Sequence, residues 1–212
     1  MGDVFNVRLK MFGQWEGEFR IRGFFSENDT CRNGPHCLLV LDGYDLCTMK
    51  KEQIKYPEIY LIGIEARTNN QNEMEPGKGK IVGCMQRYFQ EQMSAQIPDR
   101  QKPGTTYCVY ADYESDFTGD YTYFIGEEVG FASVAPQGFV TRTIPAQAYA
   151  KYTVGPGSMP SIVIKAWQAI WQMSSQDFGA ERAYQADFEV YDERASNPAE
   201  TELDIYVGIK PL

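Results

Sequence analysis

The segment from Asp187 to Glu193 (DFEVYDE) places carboxylates and a phenol among apolar residues. Its aromatic and β-branched residues predict a β-strand. Successive side chains of a strand point to opposite faces, so Glu189 and Tyr191 share one face while Phe188 and Val190 share the other. A carboxylate in such a strand either faces water or lies in a cavity that takes a positive or hydrogen-bonding group.

A second set of reactive side chains lies near the N-terminus, at Cys31, His36, Cys37 and Cys47, and His36 is the only histidine of the chain. Their spacing matches none of the usual zinc-ligand patterns, and the set contains no Cys-x-x-Cys pair. This pattern favours ordinary reduced thiols. We therefore predict neither a metal site nor a cofactor.

Length and charge limit the possible classes of protein. The 212 residues suffice for one large domain or for a domain with an extension. The net charge of −9 argues against direct nucleic-acid binding, which needs a basic face. The sequence lacks a run of about 18 apolar residues that could span a membrane, and its start does not resemble a secretion signal. We predict a cytoplasmic protein.

The first 48 residues differ from the rest of the chain. Phe5, Val7 and Leu9 alternate with polar residues, as do Phe19 and Ile21, which is typical of a hairpin. We interpret residues 1–48 as an N-terminal extension of unknown structure and residues 49–212 as the main domain.

From Ile54 onward the sequence repeats itself, which indicates an internal duplication. Similar segments recur in the same order at an offset of 81 or 82 positions: 85–89 with 167–171, 107–110 with 188–191, and 124–126 with 206–208. The two repeats cover about residues 54–134 and 140–212. Each predicts the order strand, helix, strand, strand.

This order predicts an α+β fold in which two pseudo-symmetric repeats form an antiparallel sheet with helices on one face. The helix of the first repeat should run from about Gly79 to Ser94, and that of the second should follow Ser161. The two repeats should pair about a local twofold axis. We expect the uncovered face of the sheet to form a groove that holds a ligand.

Several segments resemble a known family when they are taken together in this order. They are residues 59–64, 107–110, 113–116, 121–126, 144–146, 149–150, 167–170, 188–191 and 205–207. They resemble the GyrI-like small-molecule-binding domain, also called the AraC-type effector-binding domain. The nearest branch is that of the stand-alone YdeE-like and integron-cassette proteins. The resemblance covers residues 49–212.

The resemblance implies a central cavity that binds amphipathic, often cationic aromatic compounds, with a carboxylate on the penultimate strand. Glu189 stands at that position, and its counterpart in the first repeat is Cys108. The implied ligand-binding set is Glu189, Tyr110, Tyr191, Tyr206, Phe124, Trp167, Trp171 and Cys108. We expect Glu114, Glu127 and Glu128 to be solvated charges.

The function predicted in this way is that of a stand-alone effector-binding protein, acting in transcription regulation or in sequestering a drug or toxin. One alternative is a hydrolase of reactive cyclopropane-type compounds that uses Glu189, Tyr110 and Tyr191, although the common catalytic motifs are missing from the sequence. Another alternative is a module that binds a protein partner, as gyrase-inhibitor members of the family do.

Overall fold

A computed structural model describes residues 5–9, 17–21 and 49–211. β1 (Phe5–Leu9) and β2 (Gly17–Ile21) pair antiparallel into a two-stranded sheet, as the alternating pattern predicted. The cysteines and the histidine between positions 31 and 47 lie outside the described residues. The interpretation of these cysteines as ordinary reduced thiols, and of the whole set as no metal site, therefore stays a prediction.

Eight further strands form one antiparallel sheet, and this confirms the predicted α+β class. In chain order they are β3 (Lys50–Tyr56), β4 (Ile59–Thr68), β5 (Thr106–Ala111), β6 (Tyr121–Val129), β7 (Val140–Ile144), β8 (Gln147–Gly157), β9 (Ala186–Tyr191) and β10 (Thr201–Ile209). The helices are α1 (Asn70–Met74), α2 (Ile81–Gln90), α3 (Ser161–Gln172) and α4 (Ser175–Phe178). Short 3₁₀ turns occupy Met93–Gln96 and Glu193–Ala195.

The two repeats of the sequence are visible as β4–α2–β5–β6 and β8–α3–β9–β10. Each repeat begins with one strand more than predicted. The additional strand is β3 in the first repeat and β7 in the second. These two strands cross over, because β3 pairs with β8 of the second repeat and β7 pairs with β4 of the first. The halves are therefore joined at both edges of the sheet as well as in its centre, where β5 pairs with β9.

The crossover requires a strongly curled sheet. The strand order is β3-β8-β10-β9-β5-β6-β4-β7, so β3 and β4 are six strand spacings apart. In a flat sheet that distance would be roughly 29 Å. Only Pro57 and Glu58 link the two strands, and such a linker spans at most about 10 Å. The two edges must therefore approach each other.

The inner face of the curl is filled by side chains from the strands alone. One buried cluster joins residues from both edges and from the centre: Ile59, Leu61, Tyr107, Val109, Ala111, Phe124, Ile144, Tyr149, Ala186, Phe188, Val190 and Tyr206. Tyr56, at the end of β3, packs edge-on against Phe188 and Tyr206 with ring centroids 5.2 and 5.1 Å apart. No helix of the described chain contributes to this cluster.

The outer face carries the helices in two separate clusters. Cys84 and Tyr88, one turn apart on α2, pack on the first repeat. Ile162, Ala166, Trp167 and Ile170 of α3 pack on the second. Tyr110 and Tyr191 are shared by both clusters, which places them between the two helices.

Candidate ligand-binding site

Glu189 lies at the centre of the sheet, on the face that the helices cover. Its Cα partners are Cys108 on β5 and Ile205 on β10, both of which belong to the helix-side clusters. Glu189 is only 3% exposed. The carboxylate is therefore removed from water and depends on hydrogen bonds from the protein.

Three neutral groups donate hydrogen bonds to this carboxylate. Trp167 Nε1 and Tyr110 Oη donate to Oε1, at 2.5 and 2.9 Å, and Tyr191 Oη donates to Oε2 at 2.8 Å. The donors come from α3, β5 and β9, so helix and sheet both have to be in place. Because all three point their hydrogens at the carboxyl group, they favour its ionised form.

Burial nevertheless outweighs these hydrogen bonds and raises the pKa of Glu189 above its usual 4.5. The ion pairs found among residues 49–211 do not include Glu189. The site thus holds a desolvated carboxylate whose partners are neutral donors. A nearby cation would stabilise the ionised form of this carboxylate.

A cavity of about 370 Å³ lies beside this carboxylate, between α2 and the loop that follows β9. Cys108, Ile125 and Tyr191 line it from the sheet. Met85 and Phe89 of α2, and Met159 from the segment before α3, add apolar walls. Tyr191 belongs both to the cavity wall and to the hydrogen-bonded shell of Glu189, so it lies between the cavity and the charge.

The structure brings together five of the predicted site residues: Glu189, Tyr110, Tyr191, Trp167 and Cys108. Cys108 contacts a further phenol, since Tyr123 Oη donates to its Sγ at 3.2 Å, and burial raises the pKa of its thiol. Trp171 lies one turn beyond Trp167, half-buried, with its ring stacked on Phe117 at 6.1 Å.

Phe124 and Tyr206 do not share this face, so their predicted place beside Glu189 is wrong. Phe124 is the Cα partner of Val109, and Tyr206 is the partner of Phe188. Both side chains therefore point into the inner cluster, where Tyr206 stacks on Phe188 with centroids 4.4 Å apart. The alternation of strand side chains puts them on the opposite side of the sheet from Glu189.

The predicted location of the groove is also wrong. We expected it on the sheet face without helices, but that face curls inward and is filled by its own aromatic residues. The cavity lies on the helix-covered face, between the two helix-side clusters. A curled sheet buries its inner face without helices, and the cavity lies on the outer face, between α2 and the segments at Met159 and after β9.

Besides Asp204 on β10, which is 6% exposed, two buried carboxylates were missed in the sequence. Glu127 on β6 is 2% exposed, although we expected a solvated charge. The available signal of its burial was its position two residues after Ile125, which places both side chains on the same face of β6. The other is Asp187, which is fully buried and accepts hydrogen bonds from Arg182, Tyr113 and the backbone N–H of Gly208 at 2.5, 2.8 and 2.8 Å.

Comparisons with known proteins agree with this fold. A curled sheet with two paired repeats is the fold of a class of effector-binding domains. Residues 54–209 match the family described as integron-associated effector binding protein, or Cass2. The chain belongs to this family.

Two curated relatives are named for roles in transcription. The chain is 30% identical over 148 residues, 70% of this chain and 90% of the relative, to YobU of Bacillus subtilis, whose name describes it as a candidate transcriptional regulator. It is 31% identical over 116 residues to the transcriptional regulator BrlR of Pseudomonas aeruginosa. That match covers 54% of this chain but only 41% of BrlR.

Solved structures share the fold at lower identity. The integron cassette protein VCH_CASS2, from the mobile metagenome of Vibrio cholerae, has a TM-score of 0.59 and 21% identity, covering 77% of this chain and 99% of that one. SAV2435, solved with tetraphenylphosphonium bound, has a TM-score of 0.61 and 17% identity, covering 76% and 94%. At these identities the comparison supports the fold.

Within the described residues, no helix is both long and apolar enough to cross a membrane. The same part of the chain contains no group of three or more histidine, cysteine or acidic side chains placed to hold a metal ion.

Proposed function

We propose that this effector-binding protein takes amphipathic cationic aromatic compounds, with Glu189 as the electrostatic anchor. The observation that carries the proposal is the buried carboxylate of Glu189, which has three neutral hydrogen-bond donors and no ion pair among residues 49–211. A lipophilic cation in the adjacent cavity would provide the positive charge.

The cavity wall supports the same ligand class. Met85, Phe89, Ile125 and Met159 offer apolar contacts. Methionine side chains adapt to ligands of different shape, and aromatic rings attract cations by roughly 0.5–2 kcal/mol per contact. A bound cation reaches Glu189 by displacing the Tyr191 hydroxyl, because that phenol separates the cavity from the carboxylate. Tetraphenylphosphonium, the ligand of the related SAV2435 structure, belongs to this chemical class.

The test is a tryptophan-fluorescence titration of the full chain with tetraphenylphosphonium and with tetraphenylborate, an anion of similar shape. Trp167 contacts Glu189 and should report binding. We expect saturable quenching by the cation alone. Glu189→Gln should weaken cation binding roughly tenfold or more because a charge-assisted contact is lost. Equal affinity of wild type and variant, both folded by circular dichroism, would overturn the proposal.

The hydrolase alternative uses the same residues. Tyr110 and Tyr191 lie within hydrogen-bonding distance of Glu189, as an acid–base arrangement needs. Both carboxylate oxygens already accept from protein donors, and this favours binding over activation of a water. Incubation with a reactive electrophilic compound, followed by product analysis, separates the two. Turnover that is lost in Glu189→Gln would replace our proposal with the hydrolase.

A further inference from the structure

Besides Asp192 and Glu193, which line the cavity, a second buried carboxylate lies near it, at Glu127. This residue follows Ile125 by two positions on β6 and is the Cα partner of the buried Ile62, so it faces the helices. Ile125 and Gly104 line the cavity, and the backbone N–H of Gly104 lies close enough to Glu127 to favour the ionised form of its carboxyl group. Glu127 is therefore one layer behind the cavity wall, as Glu189 is.

The distance between the two carboxylates follows from the strand register. Glu189 pairs with Cys108, and Cys108 pairs with Ile125, so two strand spacings separate β9 from β6. Glu127 lies two residues further along β6. The Cα atoms of Glu127 and Glu189 are thus roughly 12 Å apart. Cys108 and Ile125, which line the cavity, lie between them.

The surroundings of Glu127 leave its charge only partly compensated. Arg100 Nη1 approaches Glu127 Oε2 at 3.4 Å, which is long for a charged hydrogen bond, and the Arg100 side chain is 29% exposed. The buried hydroxyl of Tyr88, on the same helix as Met85 and Phe89, has no hydrogen-bond partner among the described residues, and the nearby charge of Glu127 helps to raise the pKa of this phenol. A cationic ligand group that reaches Glu127 could therefore replace the partly exposed Arg100 as its partner.

We propose that Glu127 is a second anionic anchor and that the cavity takes elongated dications with an apolar spacer, one charge at Glu189 and the other at Glu127. This inference rests on the proposed role of Glu189. It goes further by naming the charge number and length of the ligand. The competing interpretation is that Glu127 only ties Arg100 to β6.

The test compares two probes of one chain length: octamethonium, which carries a trimethylammonium group at each end, and octyltrimethylammonium, which carries one. Glu127→Gln should weaken octamethonium binding roughly tenfold or more and leave octyltrimethylammonium binding unchanged. Glu189→Gln should weaken both. Hexamethonium and decamethonium should show how affinity depends on the distance between the charges.

Glu128→Gln is the matched control, because Glu128 accepts from Tyr107 and pairs with Lys102 on the other side of the strand. It should leave both probes unaffected. Arg100→Gln adds a readout that a purely structural role would not give. It removes the internal competitor for Glu127, so the affinity for octamethonium should rise while that for octyltrimethylammonium stays constant.

Several outcomes would overturn the inference. Equal affinities of wild type and folded Glu127→Gln for octamethonium would do so, as would a loss shared by both probes. If Arg100→Gln unfolds, the Glu127→Gln comparison alone decides. The proposed function is judged separately with tetraphenylphosphonium. Binding of that monocation that depends on Glu189 leaves the proposed function standing even if octamethonium shows no preference.

Discussion

Cys108 lies directly opposite Glu189 in the antiparallel pair that β5 forms with β9. The sequence repeat equates the same two residues, at an offset of 81 positions. Positions that are equivalent by duplication and also paired across the central strands must lie next to the local twofold axis. The candidate site therefore straddles this axis, and only one of its two equivalent positions carries a charge.

Trp167 should contribute to stability through its hydrogen bond to Glu189. Trp167→Phe removes one donor and leaves Oε1 with Tyr110 alone, so we expect a loss of about 1–3 kcal/mol in the free energy of unfolding. Trp171→Phe is the control, because Trp171 stacks on Phe117 and a phenylalanine retains a ring there. Urea unfolding followed by circular dichroism measures both. Equal losses of unfolding free energy in the two variants would mean that the hydrogen bond from Trp167 to Glu189 does not contribute measurably to stability.

Cation binding should weaken as the pH falls. Burial raises the pKa of Glu189 above 4.5, and only the ionised carboxylate attracts a cation. The affinity should therefore be highest well above that raised pKa and should decline as the pH falls through it. Calorimetric titrations with tetraphenylphosphonium between neutral and mildly acidic pH check this trend.

The matched control for this pH dependence is Glu189→Gln, whose weaker binding should change less over the same range, with any remaining change due to Asp192 and Glu193 in the cavity wall. Binding of the cation lowers the pKa of Glu189, so wild type should also release protons near the raised pKa. The heat of binding should then depend on the ionisation enthalpy of the buffer. A wild-type affinity that stays constant with pH would contradict the proposal that the ionised carboxylate of Glu189 attracts the cation.

Much of the fold was predictable because duplicated segments keep their order. The repeat predicted the central strands and both long helices, and the alternation of side chains placed Glu189 and Tyr191 together. The register between neighbouring strands was not predictable. A shift of one residue moves a side chain to the other face, and this is why Phe124 and Tyr206 were assigned to the wrong side.

For the burial of Glu127 the alternation along β6 was the one local signal, and it was not sufficient for a different reason. A charge near the end of a strand is usually solvated, and here it is covered by Arg100 and Gly104, which precede it by more than 20 positions. The curl of the sheet was not predictable for the same reason, because it depends on the exchange of β3 and β7 between the halves. Both features depend on contacts between distant segments.

Asp187 should be essential for folding rather than for binding. Its carboxylate is fully buried and pairs with Arg182, whose side chain is 7% exposed. Asp187→Ala leaves a buried guanidinium without its anion, so we expect a loss of about 3–5 kcal/mol. Lys210→Ala removes an exposed ion pair with Glu181 and should cost less than about 1 kcal/mol. Thermal unfolding of the two variants would contradict this difference if the melting temperatures shifted equally.

The pairing of Gly63 with Gly126 should tolerate no side chain. The two glycines are Cα partners on β4 and β6, and a Cβ at Gly63 would lie 2.0 Å from the carbonyl oxygen of Ile125. Gly63→Ala therefore has to push the strands apart, and we expect a loss of at least about 1–3 kcal/mol. Gly83 is exposed on α2 with free space around it, so Gly83→Ala should stabilise the protein by about 0.5–1 kcal/mol. The opposite signs would appear in one set of urea unfolding curves, and a stable Gly63→Ala would show that β4 and β6 are not in this register.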